Sequence, residues 1–127
     1  MAGSRTDDSQ RLRVGVAQRP DGVTMVTLAG YLDAGTFDLL EDALDKTLDG
    51  GHSRIIVNMS KLTYISSAGA GVLLAAISRA RSMGGDIALL KPCLTVADVF
   101  ALIGMNRFCA IADTLEKAEE ILRSLPS

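Results

Sequence analysis

The stretch Tyr64-Ile65-Ser66-Ser67-Ala68-Gly69-Ala70-Gly71-Val72-Leu73-Leu74 decides the reading of this chain. A strand-like apolar run ends in two serines, and a turn of small residues then opens an apolar helix. That order puts a serine hydroxyl at a helix N-terminus, where unpaired backbone N–H groups and the positive end of the helix dipole stabilise an anion. A phosphate on either serine would meet partners already in place. Serine is also a preferred helix cap, worth about 1 kcal/mol, so the residues alone leave capping and modification both open.

Working outward, residues 54–59 (Arg-Ile-Ile-Val-Asn-Met) are short, β-branched and nearly continuous in apolarity, as in a central strand covered on both faces. Beyond the serines, Val72, Leu73, Ala76, Ile77, Ala80 and Met83 recur at helical period from Ala68 until Gly84-Gly85 stops the helix. Toward the N-terminus, residues 12–18 and 23–29 read as strands joined at Arg19-Pro20-Asp21-Gly22, which makes an antiparallel hairpin. Gly30-Tyr31-Leu32-Asp33 leaves that hairpin for a helix over 35–49, built on Phe37, Leu40, Leu44 and Leu48 and ended by Gly50-Gly51.

Toward the C-terminus, a strand over 86–90 is closed by Pro92. A short helix through Val96, Val99, Phe100 and Ile103 ends at Gly104, and a strand follows over 108–112. Asp113 and Glu116 form a capping box for a last helix carrying Leu115, Ala118, Ile121, Leu122 and Leu125. The order ββαβαβαβα predicts an α/β sandwich with a small mixed, mostly parallel sheet and an antiparallel N-terminal edge strand. Sites in such sheets form beyond the carboxyl ends of the strands. Asp33, the Ser66-Ser67 turn and the Lys91-Pro92-Cys93 loop are therefore expected on one rim.

With 127 residues, 48% of them hydrophobic, the chain suits one domain over residues 11–127. Residues 1–10 are polar without periodicity and read as a flexible tail. They lack the apolar core of a secretory signal, and the longest uncharged apolar run, residues 68–77, is half of the roughly 20 residues a bilayer requires. No membrane association and a cytoplasmic location are expected, with Cys93 and Cys109 reduced. A net charge of −2, no basic run, no Trp, two Tyr and three Phe disfavour direct nucleic-acid binding. A protein partner is the better expectation.

Catalysis is not expected. The sole histidine, His52, precedes the strand that Ser67 follows, which separates a would-be base from its nucleophile by the strand's length. The serine also lacks the flanking glycines of G-x-S-x-G. One His and two Cys sixteen positions apart supply no metal set, and no phosphate-cradling glycine loop is present, so neither metal nor cofactor is expected. Gly69 and Gly71 each cost a helix up to about 1 kcal/mol relative to alanine. Close packing of helix on strand and an accessible backbone for a partner both account for them.

The segment from Ile55 to Leu74 resembles the signature of the STAS domain, specifically the bacterial anti-sigma factor antagonists of SpoIIAA type. Gly30-Tyr31-Leu32-Asp33 with Thr36 is similar to that family's first loop, and residues 96–105 are similar to its penultimate helix. The resemblance covers residues 12–125. It implies that the unphosphorylated chain binds an anti-sigma factor that is also a serine kinase, which frees a sigma factor. Phosphorylation of Ser67, or as second choice Ser66, would end that binding, and a serine phosphatase would reset it. Asp33, Thr36, Ser66, Ser67, Ala68, Gly69 and Gly71 are the implied partner surface. In this chain Ser66 stands where the family commonly has Asp, and Ala68 where a second hydroxyl is common. An alternative implied by the same resemblance is a non-phosphorylated scaffold subunit of stressosome or lipid-transporter type.

Overall fold

Five strands lie side by side in chain order in the computed structural model, which describes residues 11–125. β1 (Leu12–Gln18) and β2 (Thr24–Leu32) are antiparallel, and β3 (Arg54–Ile65), β4 (Asp86–Leu90) and β5 (Ala110–Ala112) continue the sheet in parallel. The helices are α1 (Phe37–Asp49), α2 (Ser67–Ser82), α3 (Leu94–Ile103) and α4 (Leu115–Arg123), with a 3-10 turn at Met105–Arg107. This is the expected order and the expected mixed sheet. The tail read over residues 1–10 lies outside the described residues.

The apolar run in β3 is continuous because it serves two cores. Ile55 and Val57 pack with Leu40, Leu44 and Leu48 of α1 and Leu73 and Ile77 of α2. Ile56 packs instead with Ala88, Leu90, Ala112 and with Ala118 and Leu122 of α4. Successive strand side chains point to opposite faces, so a strand covered on both sides needs apolar residues at every position.

The structure redraws several boundaries. β2 begins at Thr24 and runs to Leu32 rather than spanning 23–29, and β3 runs to Ile65 rather than stopping at Met59. Gly30 carries the extension: its φ of 109° is open to glycine, and the β2–β3 register shifts on either side of it. A Cβ there would also lie 2.1 Å from the Arg11 carbonyl oxygen. α1 begins at Phe37, because Gly35 belongs to the turn before it, and α3 begins at Leu94. β5 holds only residues 110–112, since Gly104, left-handed at φ 76°, leads into the 3-10 turn and leaves Phe108 half-exposed. The last helix is capped by Thr114, whose hydroxyl accepts from the Lys117 N–H at 3.2 Å, and not by the expected Asp113 box.

Candidate functional site

The extension of β2 and β3 builds the site. Leu32 pairs with Ile65 in parallel register, so the loop after β2 and the turn after β3 start side by side. The Ser66 backbone N–H donates to the Leu32 carbonyl at 2.8 Å and fixes one to the other.

On the β2 side, Asp33 organises a tight turn. Its Oδ1 accepts from the Gly35 N–H at 2.9 Å and lies 3.2 Å from the Thr36 hydroxyl, while Oδ2 pairs with the Arg11 guanidinium. Thr36 is buried; its Oγ1 donates to the Tyr31 carbonyl at 2.8 Å and accepts from the Asp33 N–H at 3.0 Å. Partial burial pushes the Asp33 carboxyl upward, but the Gly35 N–H, the Arg11 charge and the Thr36 hydroxyl outweigh it and hold the group below its ordinary range. Asp33 is therefore an anchored carboxylate. Thr36, read from sequence as part of a contact surface, is instead an internal strut of that loop.

On the β3 side, the two serines have different environments. Ser66 is extended (φ −97°, ψ 171°) and caps α2, its Oγ accepting from the Gly69 N–H at 3.3 Å. Ser67 is the first residue of α2, is exposed, and has no side-chain hydrogen bond among the described residues. The first turn of α2 holds no acidic residue, so its positive end faces Ser67 uncompensated by a carboxylate of its own.

The glycines divide likewise. Gly69 is buried, and a Cβ there would lie 2.6 Å from Leu32 Cγ and 3.2 Å from Ile65 Cγ1. It lets α2 sit on the strand ends, so close packing accounts for it and an open backbone does not. Gly71 is exposed, with nothing within 4 Å of a Cβ, and Ala68 is half-buried between them.

The Lys91 loop does not join the serine turn as expected. β3 outruns its pairing with β4, which ends at Asn58 opposite Leu90, and the Cys93 thiol donates to the Leu62 carbonyl at 3.3 Å. That loop therefore flanks β3 before the turn is reached. A pair missed from sequence stands on the rim instead: Tyr31 and Tyr64 face each other across the strands with ring centroids 6.4 Å apart, both about half-exposed. Their signal was present, since each immediately precedes a buried strand-end residue, Leu32 or Ile65.

β3 lies between His52 and Ser67, which flank its opposite ends and stand far outside hydrogen-bond reach of each other. Among the described residues no three His, Cys, Asp or Glu side chains group to hold a metal ion, and no helix is long and apolar enough to cross a membrane. The site offers a carboxylate anchor, two tyrosines and a free hydroxyl at a helix start, which suits recognition by a macromolecule.

The sequence profile of the STAS domain matches residues 16–118. The chain belongs to the STAS domain family. It is 30% identical to BtrV of Bordetella bronchiseptica, named for anti-sigma factor antagonism, over 77% of this chain and 84% of that protein. The crystal structure of the Thermotoga maritima protein TM1081, named likewise, superposes with a TM-score of 0.78 at 25% identity, covering 91% of this chain and 97% of that one. SpoIIAA of Bacillus in its phosphorylated form shares the fold, with a TM-score of 0.66 at 22% identity over 84% of this chain and 96% of that one. Within the family, this STAS chain groups with proteins named as anti-sigma factor antagonists.

Proposed function

We propose that this STAS protein is an anti-sigma factor antagonist that binds an anti-sigma factor with serine kinase activity, frees the sigma factor, and is released when Ser67 is phosphorylated. The observation that carries the reading is the division of labour between the serines: Ser66 is occupied as the cap, whereas Ser67 is exposed with its hydroxyl unengaged among the described residues. Ser67 is thus the acceptor, and Ser66 the residue that presents it. Around it, Asp33, Ala68, Gly71 and the Tyr31–Tyr64 pair form the contact surface, while Thr36 and Gly69 support it from below. The assignment to anti-sigma factor antagonism is supported by the similarity to BtrV and TM1081.

Magnitudes say how such a switch operates. A phosphate of charge about −1.5 to −2 gains only about 0.3–2 kcal/mol from a helix N-terminus, whereas inverting a complex from 99:1 to 1:99 takes about 5.5 kcal/mol. Internal stabilisation falls short. The charge and bulk at Ser67 must act directly against the partner's surface, where an uncompensated charge costs several kcal/mol. A serine phosphatase then resets the exposed group, and the cycle suits a protein working in the cytoplasm. Incubation with the kinase and ATP, followed by peptide mass spectrometry, places one phosphate on Ser67 and none on the Ser67→Ala variant. A chain that gains no phosphate would be a scaffold.

A further inference from the structure

Ser67 heads an outward line along α2. At 3.6 residues per turn and 1.5 Å per residue, Ser67, Gly71, Leu74, Ser78 and Arg81 fall within about 40° of one line that is about 21 Å long. Ser67, Gly71, Ser78 and Arg81 are exposed and Leu74 is half-buried, so the line faces outward over its whole length. Its far half is one wall of an open groove of about 270 Å³, lined by Leu74, Ile77, Ser78, Arg81 and Phe108.

The groove is held in shape from both sides. Phe108, 56% exposed, is fixed by the 3-10 turn, its N–H donating to the Met105 carbonyl at 2.9 Å. Arg81 is held by Asp86, its Nε donating to Oδ1 at 3.0 Å. A fixed aromatic beside an apolar groove is the kind of anchor on which interfaces concentrate their affinity. The rim around Ser67 lacks the extent to hold a partner alone: a stable interface takes about 20–30 residues and about 800 Å² from each side. Apart from Tyr31 and Tyr64, the rim offers the small side chains of Ser67, Ala68 and Gly71. A partner seated there must extend further, and the outward line of α2 leads it to the groove.

We propose, on the basis of the antagonist reading of Ser67, that the anti-sigma factor lies along α2 and seats an apolar side chain against Phe108 in this groove. Phe108, Leu74 and Ser78 then set its affinity, while Ser67 sets its release. One helix carries both functions, which gives the switch its reach: a phosphate at the head of the line lies beneath the same partner that grips the far half. Charge and bulk that lift the partner at Ser67 also withdraw it from Phe108.

Calorimetric titration of the full chain with a kinase-type anti-sigma factor from the same genome tests this. Phe108→Ala removes the anchor, and Ser78→Arg fills the groove from an exposed helix position that makes no side-chain hydrogen bond among the described residues. Each weakens binding about tenfold or more, while Ser78→Arg keeps the wild-type urea midpoint and Lys117→Ala, on α4 across the sheet, keeps the wild-type affinity. Wild-type affinity in Ser78→Arg overturns the groove and leaves the antagonist reading of Ser67 standing, and so does an equal loss in Lys117→Ala. A wild-type chain that binds no such factor overturns both. Sedimentation of wild type as a dimer that Ser78→Arg makes monomeric gives the groove to a second copy and overturns the proposal as well.

Discussion

The Ser66 backbone N–H donates to the Leu32 carbonyl at 2.8 Å, just where Leu32 pairs with Ile65. This bond joins the Asp33 loop to the serine turn, so the two halves of the rim are positioned by the sheet itself and not by their own side chains.

The two serines separate in stability. Ser66→Ala deletes the acceptor for the Gly69 N–H and lowers unfolding free energy by about 1 kcal/mol. Ser67→Ala removes no observed bond and stays within about 0.5 kcal/mol of wild type. Urea unfolding of both variants reads the difference, and equal losses would mean that Ser67 also serves the fold.

The two glycines separate in sign. Gly69→Ala drives a Cβ to 2.6 Å from Leu32 Cγ, and such overpacking costs about 1–3 kcal/mol against a propensity gain of at most about 1. Gly71→Ala meets nothing within 4 Å and stabilises by up to about 1 kcal/mol. Denaturant midpoints should move in opposite directions.

Asp33 makes stability depend on pH on the acid side. Its folded-state carboxyl is held below the ordinary range, so its contribution is fully present above the unfolded value near 4 and is lost as pH falls through the lower folded value. Wild type should therefore exceed Asp33→Asn in stability by a constant margin above about pH 5, with the margin closing toward pH 2. Urea midpoints measured across that range check it; a margin that widens on acidification would contradict the anchored carboxylate.

The cysteines should react in order. Cys109 is buried and its thiol is pushed up, by burial first, against the opposing charge of Arg81 and with a smaller upward effect of Asp86. Cys93 is partly exposed. Thiol titration of the native protein labels Cys93 in a fast phase and Cys109 only in a slow phase that tracks unfolding.

The order of elements was legible because each carries its own period: Ile55, Ile56 and Val57 serve two cores, and Leu40, Leu44 and Leu48 serve one. What was not legible was the length of β2 and β3. Gly30 reads locally as a strand end, yet it sits in extended pairing at φ 109°, and the register shifts beside it break the alternation by which a strand is recognised: Met59, Leu62 and Ile65 are buried at a spacing of three. The site inherits that miss. Ser66 and Ser67 were found by their place before a helix, but Thr36 as a buried strut, Gly69 as a packing residue and the Tyr31–Tyr64 pair all depend on how far the strands run. Thr114 in place of Asp113 as the last cap, and Phe108 in a turn instead of a strand, turn on one-residue choices of backbone conformation that composition does not decide.

The central claim is tested most directly by the affinity of a kinase-type anti-sigma factor from the same genome for wild type, Ser67→Ala and the Ser67-phosphorylated protein, measured by calorimetry. Wild type and Ser67→Ala should bind within about threefold of each other, and phosphorylation should weaken binding by about ten-thousandfold, which corresponds to about 5.5 kcal/mol. Equal affinity of all three would contradict the account.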